Sequence, residues 1–166
     1  MKTNLILIVF LFSGINTFAQ KDFKEFAVNL NVNQQYVKSD FGLNIEGVLN
    51  YRFAKDFSLG ISFANAKMEN DEFNLKYNLQ RYGLQANYAF AKVDNFQIES
   101  IFGFSYLMFD EELGLEDSKG LGIDVGIQAV FRTHRDFNYG LRIVTTYAEF
   151  SPGGIMNAGA FFRLNL

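Results

Sequence analysis

Hydrophobic and polar residues alternate one by one along most of the chain. From Phe26 to Asn33, large apolar side chains occupy the even positions, and Ala27 and three asparagines occupy the odd ones. Alternation with a period of two is typical of a β-strand that has one apolar and one polar face. Similar runs cover 41–53, 57–64, 73–90, 96–106, 121–131, 137–147 and 156–164. The pattern therefore predicts eight strands.

The fourth of these runs changes its phase. From residue 73 to 79 the large apolar residues take odd positions, whereas from Tyr82 onward they take even positions. One extra residue in a strand produces such a shift. The sequence therefore predicts a β-bulge near Gln80 and Arg81.

The connections between the runs are regularly spaced. The segments 51–57, 88–96 and 131–137 each contain an aromatic residue, a short charged turn and then a phenylalanine. These phenylalanines are Phe57, Phe96 and Phe137, and successive ones are 39 and 41 residues apart. Tight turns at one spacing indicate an up-and-down meander of hairpins. The opposite connections would be 38–40, 65–72, 110–119 and 151–154.

The residue types on the two faces indicate which face points outward. Bulky apolar residues gather on one face, and their phenylalanines and tyrosines lie near the short turns, as in the aromatic girdle of a membrane barrel. The fold predicted is all-β, an eight-stranded antiparallel up-and-down transmembrane β-barrel, and the alternative is an exported soluble barrel with its apolar face inward. Most glycines lie on the polar face, where a narrow lumen leaves little room for side chains: Gly42, Gly60, Gly83, Gly103, Gly122, Gly126, Gly140 and Gly159.

The amino-terminal residues indicate export. Met1 and Lys2 precede an unbroken apolar run from Leu5 to Phe12, and Ala19 ends a stretch with small residues. This is the pattern of a cleavable Sec-type signal peptide, so we expect residues 1–19 to be a signal and 20–166 to be one barrel domain. The chain has no cysteine, which excludes disulfides and thiolate metal sites, and its net charge of -3 disfavours nucleic acid as a partner.

The carboxy-terminal residues carry a family resemblance. Asn157, Gly159, Phe162 and Leu164 follow the order polar, glycine, aromatic, apolar, which resembles the assembly signal of Gram-negative outer-membrane barrels. The chain as a whole resembles the small OmpA-like and OmpX-like barrels, in the form common in Bacteroidetes. The resemblance implies an outer-membrane location, lipids, lipopolysaccharide and the barrel assembly machinery as partners, and a role in envelope integrity, surface interaction or limited solute passage.

Charged residues on the polar face are the candidate site. Alternation places three acids and three arginines in the lumen, with one group at middle height and the other near the short turns. A charge in a narrow lumen must be paired or hydrogen-bonded, so we expect a structural plug of salt bridges, with a selective pore as the alternative. The middle group is Glu46, Asp124 and Arg142, and the turn group is Arg52, Glu99 and Arg163.

No other motif indicates chemistry. The stretch 110–117 holds five carboxylates but lacks the spacing of a calcium loop, so we expect a solvated acidic loop. The single histidine, His134, falls in a short turn. A solvent-exposed histidine without a catalytic role is the simpler interpretation there. We therefore expect a non-enzymatic barrel without cofactor or metal. The alternatives are a minor diffusion pore, a surface adhesion module, a lipid-A-modifying enzyme and a soluble lipocalin-like ligand-binding barrel.

Overall fold

The computed structural model describes residues 26–70, 75–110, 118–133, 136–151 and 153–166. These residues form eight antiparallel strands that close into a barrel in the order of the sequence. No helix in the described ranges is long and apolar enough to cross a membrane. The predicted eight-stranded up-and-down barrel is confirmed. Its strands are β1 (Phe26–Val37), β2 (Asp40–Arg52), β3 (Phe57–Asn70), β4 (Leu75–Val93), β5 (Phe96–Phe109), β6 (Lys119–Arg132), β7 (Phe137–Ala148) and β8 (Ile155–Asn165).

The register of the strands sets the tilt of the barrel. Following the cross-strand partners once around the barrel from Phe26 leads to Tyr36 on the same strand, so the register shifts by ten residues. A closed sheet with such a shift has strands tilted by roughly 35–45° and, with eight strands, an interior filled by side chains. The lumen is therefore narrow.

The two ends of the barrel differ in their connections. We call the end with the connections 53–56, 94–95 and 133–136 the turn end, and the end with 38–39, 71–74, 110–118 and 149–154 the loop end. Lys38 and Asp94 have positive φ angles of 53° and 35°, as two-residue hairpin turns require. These turns fix the register of β1 with β2 and of β4 with β5.

The polarity of the barrel wall is that of a membrane protein over most of its height. Leu43 and Ile61 point outward and are 53% and 60% exposed, whereas Asn29 and Glu46 point inward and are buried. A soluble barrel has the opposite arrangement, with apolar residues inside. The aromatic pairs at the turn end, Phe26 with Tyr51, Phe57 with Tyr88, Phe96 with Phe131 and Phe137 with Phe162, form the predicted girdle on the outer surface.

Inward glycines make room for large lumen side chains. A Cβ atom on Gly140 would lie 2.0 Å from the carbonyl oxygen of Ala129 and 2.6 Å from the ring of Phe161. The ring of Phe161 therefore occupies the space over this glycine. Gly47 is different, because it points outward and a Cβ atom there would meet nothing within 4 Å.

The prediction of a β-bulge near Gln80 and Arg81 is wrong. Pairing between β3 and β4 is continuous from Phe57 with Tyr88 to Asn70 with Leu75. The irregularity in β4 lies instead between Ala89 and Ala91, where the strand pairs with β5. Strand pairing continues without a shift near residue 80. The apolar residues change from even to odd positions there because the apolar face of the wall changes from the outside to the inside.

Toward the loop end, β3 and β4 are apolar inside and polar outside. Tyr77 and Leu79 are buried in the lumen, although the sequence pattern placed them on the lipid face. Ala66 and Met68 on β3 are buried beside them. The outward positions at this height are Asn65, Lys67, Asn78 and Gln80, which form cross-strand pairs with one another. This part of the barrel has the polarity of a water-soluble one.

Candidate functional site in the barrel lumen

Glu46 lies at the centre of the middle-height charges. It occupies the middle of β2 and is fully buried. Its Oε1 atom is 2.6 Å from Nη2 of Arg81, and its Oε2 atom is 2.8 Å from Nη1 of Arg142. The Asn31 amide donates a further hydrogen bond of 2.8 Å to Oε2. Both carboxylate oxygens are therefore bonded to donors, as a buried charge requires.

Asp124 extends this network toward β6 and β7. Its Oδ1 atom accepts hydrogen bonds from Ser105 Oγ at 3.1 Å and from Thr146 Oγ1 at 2.5 Å. Nη1 of Arg81 lies 3.6 Å from the same oxygen and donates to Thr146 Oγ1 at 3.1 Å. Arg81 thus bridges the two acids. We call Glu46, Arg81, Asp124 and Arg142 the middle network; it contains two charges of each sign.

A second network lies near the turn end. Arg163 donates from both Nη atoms to the two carboxylate oxygens of Glu99, each at 2.9 Å. Gln97 and Gln128 also donate to Glu99, one to each oxygen. The Nε atom of Arg163 donates to Asn29 Oδ1 at 3.1 Å. This bidentate geometry is the strongest form of arginine and carboxylate pairing. We call Glu99 and Arg163 the turn-end network.

The six predicted lumen charges lie at the heights that alternation indicated. Five of them belong to a bonded network, and Arg52 does not. Arg52 is half-buried at the turn end and interacts electrostatically with Glu99, but it is not part of either bonded network. Glu46, Asp124 and Arg142 come together in the middle network, and Glu99 and Arg163 in the turn-end network.

Arg81 is the charged lumen residue that the sequence analysis did not place in the lumen. It was assigned to the predicted bulge, whereas in the structure it is buried and contacts both Glu46 and Asp124. The signal was present, because Gly83, Gln85 and Arg81 share the odd positions of one continuous strand. Extending the phase of β4 backward from Tyr82 without a bulge would have placed Arg81 in the lumen.

The residues of the carboxy-terminal motif lie on both faces of β8. Asn157 is buried in the lumen, and a Cβ atom on Gly159 would lie 2.1 Å from the carbonyl oxygen of Val32. Phe162 and Leu164 point outward and are exposed. The strand that carries the motif pairs with β1 and closes the barrel.

An apolar cluster fills the lumen at the loop end, above the middle network. The rings of Tyr77 and Phe109 are 6.0 Å apart, and Phe109 meets Phe150 edge to face at 5.6 Å. Sequence analysis did not predict this cluster because it assumed a polar interior throughout. We call it the apolar cap; its buried members are Val37, Ala66, Met68, Tyr77, Leu79, Leu107, Phe109 and Ile155.

Other candidate residues contribute little to the described structure. Asp110 accepts hydrogen bonds from the backbone and the side chain of Asn78. The rest of the acidic stretch, 111–117, and His134 lie outside the described residues. Within the described ranges, no three side chains of histidine, cysteine, aspartate or glutamate come close enough to hold a metal ion.

The buried ion pairs connect distant strands across the lumen. Arg142 on β7 and Arg81 on β4 both reach Glu46 on β2, so the middle network joins strands that are not neighbours in the sheet. Removing one partner of a buried ion pair typically costs about 3–5 kcal/mol, because it leaves an uncompensated charge. The ion pairs of the middle network therefore connect β2, β4 and β7 across the interior.

Comparisons with known proteins agree with this architecture. The crystal structure of Neisserial surface protein A has a TM-score of 0.59 at 12% identity, covering 85% of this chain and 96% of that one. The N-terminal β-barrel domain of Pseudomonas aeruginosa OprF has a TM-score of 0.55 at 15% identity, covering 84% and 97%. The outer membrane enzyme PagL has a TM-score of 0.57 at 14% identity, covering 84% and 99%.

Sequence comparison assigns the family. No curated protein matches the chain significantly. A family model described as the outer membrane protein beta-barrel domain matches residues 5–161. The chain therefore belongs to the family of outer-membrane β-barrel proteins with this domain.

Proposed function

We propose that this protein is a non-enzymatic integral barrel that supports the outer membrane mechanically or presents its loops for surface interaction. The single observation that carries the proposal is the set of bonded charges and apolar side chains that occupies the lumen. Glu46 is held by two arginines from opposite parts of the wall, and the apolar cap lies above it. We expect a barrel whose described interior is occupied in this way to be closed to solutes.

The fold alone does not choose between structural and enzymatic roles. PagL shares the fold and is an outer membrane enzyme, whereas Ail from Yersinia pestis, which also shares the fold, is an attachment invasion locus protein. The interior of the barrel favours the structural role. The buried charges of both networks are bonded to one another, so they serve packing and are not available to a substrate.

The orientation proposed places the loop end outside the cell and the turn end in the periplasm. Outer-membrane barrels have short periplasmic turns and longer external loops. The outer wall of β3 and β4 supports this assignment, because Asn65, Lys67, Asn78 and Gln80 suit the polar headgroup region. Residues 1–19 would direct export and be removed.

The partners proposed follow from the two surfaces of the wall. The outward apolar side chains suit the acyl chains of outer-membrane lipids, and the polar wall at the loop end suits the lipopolysaccharide headgroups. The carboxy-terminal motif, with Phe162 and Leu164 exposed on the last strand, would be offered to the barrel assembly machinery.

A strain that lacks the protein distinguishes a structural role in the envelope from a role as a diffusion pore. We expect loss of the protein to increase sensitivity to detergents and leakage of periplasmic enzymes, and expression of the wild-type chain to reverse both effects. The Arg81→Ala variant should reverse them less well, because it weakens the middle network. An intact envelope combined with reduced uptake of small solutes would instead support the diffusion pore.

Fractionation tests the membrane assignment itself. We expect the native protein in the outer-membrane fraction, soluble only in detergent, and migrating differently on gels before and after boiling. Behaviour as a soluble protein without detergent would contradict the proposal and favour the lipocalin-like alternative.

A further inference from the structure

Buried asparagines whose side-chain amides are incompletely hydrogen-bonded run along one side of the lumen. Asn29, Asn31 and Asn33 follow one another on the inward face of β1, and each has a side-chain amide atom that no described residue contacts by a hydrogen bond. Neighbouring strands continue the pattern. We call these residues the asparagine seam: Asn29, Asn31 and Asn33 on β1, Asn44 and Asn50 on β2, and Asn157 on β8, all at most 4% exposed.

The seam is strongly polar and incompletely bonded. Both amide atoms of Asn33 and both of Asn157 lack partners in the described structure. A buried amide left without hydrogen bonds is costly, at roughly 1–3 kcal/mol per group, and nearly all buried polar groups in proteins are bonded to protein or to ordered water. Several buried amide groups in sequence supply the polar partners that buried water requires.

The seam ends at the apolar cap. Asn44 donates to Gln35 at 2.6 Å, and Gln35 donates in turn to the sulfur of Met68 at 3.4 Å. Met68 belongs to the cap, which extends through Leu79 and Leu107. In the described part of the barrel, none of the buried polar atoms that lack partners belongs to a residue of the cap. The interior is therefore divided into a polar part and an apolar part, in which the one side-chain hydroxyl among the buried cap residues, that of Tyr77, donates to Asp40.

We infer that the asparagine seam binds a file of ordered water molecules that ends under the apolar cap, and that the cap is the barrier to permeation through the lumen. This inference rests on the proposed function, because it locates the element that keeps the barrel closed. Apolar constrictions close channels by excluding water. The middle network holds the strands together, whereas the cap separates the hydrated seam from the loop end.

The first test detects the bound water in the wild-type protein. We expect magnetisation transfer from long-lived water to the side-chain amide protons of Asn33 and Asn157 in detergent-solubilised barrel, measured by NMR. The backbone amides of Leu79 and Leu107 in the cap serve as the internal comparison, and they should show no such transfer. Absence of transfer at both asparagines would contradict the hydrated seam.

The second test opens the barrier. Wild-type barrel reconstituted in phosphatidylcholine vesicles should release no trapped potassium above the protein-free background. A variant with both Leu79→Ala and Leu107→Ala should release potassium at a rate at least tenfold above that background. Arg142→Ala keeps the cap and should remain at background. Gel migration before and after boiling verifies that each variant is folded, and single Leu79→Ala or Leu107→Ala variants replace the double variant if it does not fold.

The outcomes separate this inference from the proposed function. If the wild-type barrel itself releases potassium, the closed barrel and the inference both fail. If the wild type is closed and folded cap variants are also closed, the proposed function stands and the cap is not the barrier. Release through Arg142→Ala alone would assign the barrier to the middle network and contradict the inference.

Discussion

Arg142 on β7 donates a hydrogen bond of 2.8 Å to Glu46 on β2, although three steps around the sheet separate the two strands. This bond crosses the interior of the barrel. Arg81 meets the same carboxylate from β4, so three strands are joined at one point. A lumen crossed by buried ion pairs is a structural core made of polar groups, in place of the apolar core of a soluble domain.

Arg81 should contribute more to stability than Arg142. Arg81→Ala leaves Asp124 without an arginine and Glu46 with only one, whereas Arg142→Ala leaves Arg81 in contact with both acids. We expect Arg81→Ala to lower the free energy of unfolding by about 3–5 kcal/mol, and Arg142→Ala to lower it by less. Urea titration of the folded gel band measures both.

Lys55→Ala is the control for that experiment, because this lysine is exposed in the 53–56 turn. Its unfolding midpoint should match that of the wild type. An Arg81→Ala variant with the same midpoint as Lys55→Ala would show that the middle network adds nothing to stability.

The inversion of polarity on β4 predicts two different responses to the same substitution. Leu84 is 55% exposed on the apolar outer wall. Gln80 lies on the same face of β4 but closer to the loop end, with Tyr82 between the two. Leu84→Arg should destabilise the barrel by about 2–4 kcal/mol if it lies near the bilayer midplane, whereas Gln80→Arg should cost about 1 kcal/mol or less. Folding yield in phosphatidylcholine vesicles compares the two. Equal losses would place Gln80 inside the apolar band.

Two glycines should differ in their tolerance of alanine. A Cβ atom at Gly140 would overlap the Ala129 carbonyl oxygen and the Phe161 ring, whereas at Gly47 it would enter open space on the outer wall. Overpacking costs about 1–3 kcal/mol, so Gly140→Ala should lower the unfolding midpoint and Gly47→Ala should leave it unchanged. A stable Gly140→Ala barrel would show that both the Ala129 backbone and the ring of Phe161 can move away.

The turn-end ion pair should be far more sensitive than an exposed one. Glu99→Gln removes the bidentate contact with Arg163 and leaves a buried guanidinium without its anion, which should cost about 3–5 kcal/mol. Glu69→Gln breaks an exposed pair with Lys76 and should change stability by no more than about 1 kcal/mol. Chemical unfolding of both variants in the same detergent gives the comparison. Similar values for the two variants would rule out a buried structural role for Glu99.

Much of the fold was predictable because the period of two in a half-buried strand is a local property of the sequence. The outward position of Leu43 and the inward position of Glu46 follow directly from alternation once the apolar face is assigned to lipid. The heights of Glu99 and Arg163 follow as well, since the short turns fix where each strand begins. The partners within each ion pair were not predictable, because they depend on how far each charged side chain reaches across the lumen.

The error at β4 has one physical cause. The interpretation assumed lipid outside the wall at every height, and therefore explained Tyr77 and Leu79 by a bulge that would turn them outward. Near the loop end the exterior is polar and the interior is apolar, so the same alternation continues with the opposite meaning. Alternation reports two faces, and only the surrounding solvent decides which one is buried.

Conductance of the purified wild-type barrel in a planar bilayer tests the closed lumen most directly. We predict no steady current above that of the protein-free membrane, because the ion pairs to Glu46 and the apolar cap occupy the interior. A stable, ion-selective current carried by folded wild-type protein would contradict a closed lumen and place the chain among the porins.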